Sequence, residues 1–200
     1  MALPAIDLPD ADLRFDAQAI AQARADALFD ALRGEIDWQV QHLHLFGRTI
    51  ESPRRTCWIG DADAVYTYSR TRFEPQPWTP ATAILRDELA ACTGVRFNSV
   101  LANLYRDGHD AMGWHSDDEP ELGPEPLIAS LSFGASRRFR LRHRHDRDAP
   151  SLTLDLGHGS LLLMAGATQR NYRHALPRST RVTGARINLT FRRIVTATER

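Results

Sequence analysis

Apolar and polar residues change period midway along the chain. Between residues 17 and 33, Ile20, Ala23, Ala27, Leu28, Ala31 and Leu32 fall on one helical face, and Gly34 is the expected stop. A second helix is predicted over Pro80–Cys92, with Thr79 as its cap, Pro80 in its first turn and Gly94 beyond its end. Its apolar stripe is Ile84, Leu85, Leu89 and Cys92. After Gly94 the period shortens to two. Asn98–Tyr105 alternates, as do Leu127–Phe133, Phe139–Arg142, Leu152–Leu156, Ser160–Met164 and Arg186–Ile194. Turn signals separate them: Asp107-Gly108, Gly134-Ala135, Asp148-Ala149-Pro150 and Gly157-His158-Gly159. Many short strands without intervening helices predict a β-sandwich or barrel. The fold class is therefore mixed, mainly β, with helices in the N-terminal half. No Gly-, Ser- or Pro-rich linker and no internal repeat divides the chain, so one domain over residues 1–200 is expected.

The 200 residues are 42% hydrophobic and 25% charged, which excludes a disordered chain. The longest apolar run, around Leu161–Ala165, falls far short of the ~18 residues of a membrane helix. The first residues lack the basic and apolar regions of a secretory signal, so a cytoplasmic protein without a membrane partner is expected. Cys57 and Cys92, with no CxxC pair, offer neither a zinc site nor a disulfide framework. The net charge is zero but unevenly spread. Residues 1–40 carry eight acids against three arginines, residues 41–136 thirteen against eight, and residues 137–200 four against fourteen. This basic last third favours an anionic partner. Every one of the 25 basic residues is arginine, a side chain suited to bidentate carboxylate and phosphate contacts.

The chemistry sits in the β half. His115 and Asp117, two apart on an extended chain, point to the same side and would bind one metal. Two histidines and one carboxylate leave three coordination positions open, the facial arrangement of non-haem iron(II) oxygenases. A solvated acidic loop is the competing account of this stretch. The third ligand must come from a later strand: His174 is the candidate, and His158, between two glycines, the competitor. Arg186–Arg192, read as a strand, puts Arg186, Asn188, Thr190 and Arg192 on one face and Ile187, Leu189 and Phe191 on the other. Two arginines with two neutral polar groups suit a small dicarboxylate. The side chains would have to lean inward, because six residues span ~20 Å of strand.

Asn103-Leu104-Tyr105, Gly113–Glu119, Ile128–Gly134, His158–Met164, His174–Pro177 and Arg186–Arg192, in this order, resemble the AlkB family. The resemblance runs from about Leu43 to Ile194. It implies a double-stranded β-helix, or jelly roll, over 97–194, a nucleotide-recognition region and helix over 41–96, and an N-terminal extension with a helix over 1–40. It implies iron(II) held by His115, Asp117 and His174, with dioxygen and with 2-oxoglutarate as cosubstrate. Asn103, Tyr105, Arg186, Asn188, Thr190 and Arg192 would line the 2-oxoglutarate site. No catalytic residue beyond the iron ligands is implied. The implied reaction oxidises an N-methyl group of an alkylated base such as 1-methyladenine or 3-methylcytosine. It releases succinate, carbon dioxide and formaldehyde.

The region after Leu43 is similar to homologues that act on duplex DNA. There Phe46, flanked by Leu45 and Gly47, would fill the gap left by a flipped base. Tyr66 and Tyr68 would wall the base pocket, and Asp118 would recognise the base. Arg138, Arg140, Arg142 and Arg144 alternate as a basic stripe suited to phosphates, with Arg142 as the substrate contact. Alkylated DNA, or RNA, is the implied partner of a monomeric enzyme. The same chemistry on RNA, tRNA or another substrate, and a nucleic-acid-binding module without activity, are the alternatives.

Overall fold

The computed structural model describes residues 3–45, 48–68 and 71–195; at 42–45, 48–50, 66–68 and 71–73 only the backbone is described. Two antiparallel sheets face each other. The early strands are β1 (Ala5–Ile6), β2 (Asp12–Asp16), β3 (Gln39–Leu45) and β4 (Arg48–Gly60), with β5 (Tyr66–Tyr68) and β6 (Thr71–Phe73) forming a separate pair. The later strands are β7 (Ser99–Tyr105), β8 (Met112–His115), β9 (Ile128–Gly134), β10 (Arg137–His143), β11 (Leu152–Leu156), β12 (Ser160–Ala165), β13 (Tyr172–Leu176) and β14 (Arg186–Arg192). The large sheet has the order β1-β2-β12-β9-β14-β7-β4-β3 and the small one β11-β10-β13-β8. From β7 onward the chain passes back and forth between them, the winding of a jelly roll. No helix among the described residues is long and apolar enough to cross a membrane.

The alternation read from the sequence decides what each face of the large sheet meets. Ile187, Leu189 and Phe191 of β14 join Val100, Ala102, Leu131 and Phe133 in a buried cluster beneath two helices, α1 (Gln22–Glu35) and α2 (Pro80–Thr93). A second cluster, including Ile128, Leu141, Leu156, Leu162 and Tyr172, fills one part of the space between the sheets. The rest of that space becomes the site, lined by polar side chains together with apolar ones such as Trp58, Met112 and Leu176.

Helix α2 begins and ends where its caps predict. Thr79 and Thr82 form a reciprocal capping box, and Gly94 closes the helix in the left-handed conformation at φ 74°. Its stripe is narrower than expected: Leu85 and Leu89 are buried, whereas Ile84 and Cys92 face out. Helix α1 departs further. It starts at Gln22 rather than at 17, because Asp12–Asp16 is already paired with β12 and Ile20 N donates to Gly159 O. Gly159 takes φ 77°, and a Cβ there would lie 2.5 Å from Ile20 O, so only glycine permits this closure. The helix also runs through Gly34 to Glu35. Its buried face is Ala25 and Leu32, with Leu28 and Phe29 beside them, while Ala23 and Ala27 are exposed.

Candidate active site

β8 and β13 are neighbours in the small sheet, and their register sets His115 directly opposite His174. The two Nε2 atoms are 3.0 Å apart, and His115 Nε2 lies 3.8 Å from Asp117 Oδ1. The three potential ligand atoms all fall within 4.8 Å of one another. His115 Nδ1 donates to Gly113 O at 2.8 Å. A carbonyl only accepts, so Nδ1 carries the proton and Nε2 presents its lone pair to the cluster. His158 is elsewhere: its Nδ1 accepts from Gly134 N at 2.7 Å and its Nε2 faces Asp26. The alternative left open by the sequence therefore resolves to His174.

Three consecutive residues hold the Asp117 loop. Ser116 Oγ donates to Tyr172 O at 2.8 Å, Asp117 N donates to Gln169 Oε1 at 2.9 Å, and the Asp118 carboxylate pairs with Arg144. Gln169 is buried on the short helix α3 (Thr168–Asn171), and its other amide end donates to Met164 Sδ. Burial alone would raise the Asp117 carboxyl. Arg192, with Nη2 2.9 Å from Asp117 Oδ1, and the two histidines outweigh it and bring it to about 2. Burial, with His115 and Arg192 adding to it, lowers His174 to about 3 against the pull of Asp117. A carboxylate oxygen and two imidazole nitrogens are the donor set of a divalent first-row metal.

The polar face of β14 forms the adjoining wall. Arg186, Asn188, Thr190 and Arg192 all line the same cavity as the triad, with Asn103 and Tyr105 from β7. The two arginines do not converge. Arg192 faces Asp117, while Arg186 donates to Ser132 Oγ at 2.9 Å and lies 5.3 Å from the centre of the Tyr105 ring. Burial lowers Arg186 to about 10, with Tyr105 opposing the shift and Arg137 adding to it. Its Nε, fully buried, has no hydrogen-bond partner among the described residues. A buried cation with an unused donor is a receptor for an anion, and a carboxylate fits it.

Several cavity residues escaped the sequence reading. Arg54, Thr56 and Trp58 of β4 line the wall, and Arg54 Nε donates to Asn103 Oδ1 at 2.7 Å. Their period-two spacing against buried Cys57 and Ile59 was the available signal. Glu119 also lines the cavity, whereas Asp118 lies outside it, tied to Arg144. Phe46 and Gly47 lie outside the described residues, and Leu45, Tyr66 and Tyr68 outside the described side chains. Arg142 is exposed on the outer side of the small sheet, its guanidinium 4.1 Å from the Trp114 ring centre. Arg138 and Arg140 share that face, and Arg144 departs from it to bind Asp118.

Comparison with known proteins agrees with this arrangement. The 2OG-Fe(II) oxygenase superfamily profile matches residues 12–192. Human "DNA oxidative demethylase ALKBH2" is 41% identical over 183 residues, covering 87% of this chain and 70% of that protein. The chain belongs to the AlkB family.

Other AlkB relatives include the bovine "Alpha-ketoglutarate-dependent dioxygenase alkB homolog 3", 41% identical over 85% of this chain and 62% of its own length. The Arabidopsis thaliana "DNA oxidative demethylase ALKBH2" is 35% identical over 84% of this chain and 61% of its own length. The chain thus spans about two thirds of the length of these AlkB relatives. In shape it matches "The structure of OsALKBH1" at TM-score 0.63 and 17% identity, covering 95% of this chain, which shows a common fold. As an AlkB oxygenase it uses Fe(II), 2-oxoglutarate and dioxygen.

Proposed function

We propose that this protein oxidatively demethylates alkylated bases in nucleic acid, with DNA carrying 1-methyladenine- or 3-methylcytosine-type lesions as the substrate. The observation that carries the reading is the cavity itself. It brings a His-Asp-His cluster and a buried arginine with an unused donor onto adjoining walls. The names of the relatives supply the substrate class.

His115, Asp117 and His174 hold the metal. Bound Fe(II), with 2-oxoglutarate and dioxygen, supplies the oxidising power that converts an N-methyl to an N-hydroxymethyl group, which then leaves as formaldehyde. The protein binds and orients. Arg186, backed by Ser132 and flanked by Tyr105, takes the 2-oxoglutarate carboxylate remote from the metal, since it faces no carboxylate of its own. Asn103, Asn188 and Thr190 complete that wall. Arg192 keeps Asp117 anionic and aimed at the cluster. Glu119 is the acid that meets the base, because Asp118 is engaged by Arg144 outside the cavity. By resemblance to the family, Leu45, Phe46, Gly47, Tyr66 and Tyr68 are assigned to contacts with the flipped base and its stack, and Arg142 to the strand.

Mass spectrometry of methylated oligonucleotides, single- and double-stranded and as DNA and RNA, with and without 2-oxoglutarate, tests the reading. Mass loss of one methylene that depends on 2-oxoglutarate is expected. Succinate release without any demethylation would overturn the substrate class and leave the oxygenase.

A further inference from the structure

The outer face of the small sheet carries an arrangement that the cavity does not need. In β8 and β13 the pairs His115↔His174 and Met112↔Leu176 enclose one more residue on β8 than on β13, a β-bulge. The bulge lets both Met112 and His115 line the cavity and turns Trp114 outward, where it stays 40% exposed. Arg142 reaches across β13 to lie over that ring. Directly opposite Arg142 in the ladder stands Arg173, also exposed, and Arg140 lies two residues from Arg142 on the same face. Like charges paired across strands destabilise a sheet. Among the described residues neither Arg140 nor Arg173 has an ion pair, and Arg138 alone meets an acid, Asp155 at 4.0 Å.

We propose that this face is a docking platform for an unpaired nucleic-acid strand, the flank of the chain whose modified base occupies the cavity. The proposal rests on the nucleic-acid reading above and adds to it the place of the strand. Charge complementarity selects a polyanion. The exposed indole selects one with flat apolar groups, since an unpaired base offers a π-face and a paired one does not. Trp114 and His115 point to opposite faces of β8, which is the edge strand of the small sheet. A strand whose modified base enters the cavity therefore turns around this edge, and the base stacked on Trp114 lies beyond the immediate neighbours of the modified one. The arginines then take phosphates, which cancel the repulsion between Arg142 and Arg173.

Two variants test this, Trp114→Ala and the double Arg140→Gln/Arg173→Gln. Each is assayed for binding of an unmodified 15-nucleotide single strand, for kcat/KM on a methylated 15-mer, and for kcat/KM on a methylated trinucleotide. Trp114→Ala should weaken 15-mer binding about 5- to 150-fold, with Trp114→Phe restoring most of it. The double variant should flatten the slope of log K against log salt by about 1.4, the loss of two single-strand phosphate contacts. Trinucleotide turnover should stay within about two-fold in both. Unchanged 15-mer binding in the double variant would overturn the proposal, as would equal losses on trinucleotide and 15-mer. Competition by poly-glutamate as effective as that by the oligonucleotide would also overturn it, leaving a general polyanion patch. If the wild type demethylates nothing yet the variants still lose strand binding, the demethylase reading falls and the platform stands.

Discussion

Two rows of arginine lie on neighbouring sheets and lead opposite lives. Arg186 and Arg192 of β14 are 2% and 3% exposed, whereas Arg138, Arg140 and Arg142 of β10 stand in solvent. Both strands alternate polar with apolar residues. The difference is which side their apolar residues occupy. On β14 the apolar side packs under α1 and α2, so the polar side is forced inward between the sheets. On β10 Phe139 lines the cavity and Leu141 enters the core, so the arginines are forced out. A buried arginine is tolerable only with a fixed partner or a ligand to meet. The inner row therefore serves the chemistry, and the outer row is free to serve long-range attraction.

The contrast breaks most visibly at Asp117. Asp117→Ala should abolish Fe(II) binding in anaerobic titration and reduce formaldehyde release to background. It also removes the carboxylate that Arg192 faces, and losing one partner of a buried pair costs about 3–5 kcal/mol, seen as a lower melting temperature. Arg140→Gln, in the outer row, should stay within about 0.5 kcal/mol of the parent. Near wild-type formaldehyde release from Asp117→Ala would refute the metal assignment.

Arg186→Gln comes next. A charge-assisted hydrogen bond is worth about 1.5–3 kcal/mol, so the KM for 2-oxoglutarate should rise roughly 10- to 150-fold while strand affinity holds. Equal loss of strand binding in a gel-shift assay would erase the distinction between the rows. Phe46→Ala sharpens the outer half of the comparison. A wedge into the stack helps only on a duplex, so kcat/KM on duplex relative to single strand should fall about 5- to 150-fold. An unchanged ratio would remove the wedge. The smallest effect belongs to Gln169→Leu, which withdraws the acceptor from Asp117 N. At about 1–1.5 kcal/mol, Fe(II) affinity should drop roughly 5- to 10-fold with little change in the KM for 2-oxoglutarate. A parallel rise in that KM would mean a general loosening of the cavity.

What the sequence discloses follows the range of the interaction involved. The jelly-roll strands and the two faces of β14 are local alternations, and helix α2 is written in Thr79, Pro80 and Gly94. The triad was reachable because His115 and Asp117 are close in sequence and only one further histidine was needed. Arg54, Gln169 and the true start of α1 were not reachable in this way. Arg54 meets Asn103 across 49 residues, and Gln169 meets Asp117 across 52. Whether such a side chain faces a cavity depends on which strand lies opposite, and no periodicity carries that information. Asp118 and Glu119 make the same point at closest range: adjacent acids, one drawn out by Arg144 and one left in the cavity.

The earliest strands have a consequence for how the molecule is made. β2 pairs with β12, and Asp12 N donates to Thr168 Oγ1 across 156 positions of chain. Tyr172 Oη donates to Pro9 O and Asn171 Nδ2 to Asp10 O, so the opening segment braces the stretch that carries Gln169 and leads to His174. During synthesis this segment emerges well before its partner and must wait across those 156 positions until Thr168 exists. Loop closure over such a span is among the last and slowest steps of folding. Metal acquisition is thereby tied to synthesis past His174: a nascent polypeptide holding only His115 and Asp117 lacks both the third imidazole and the brace behind it.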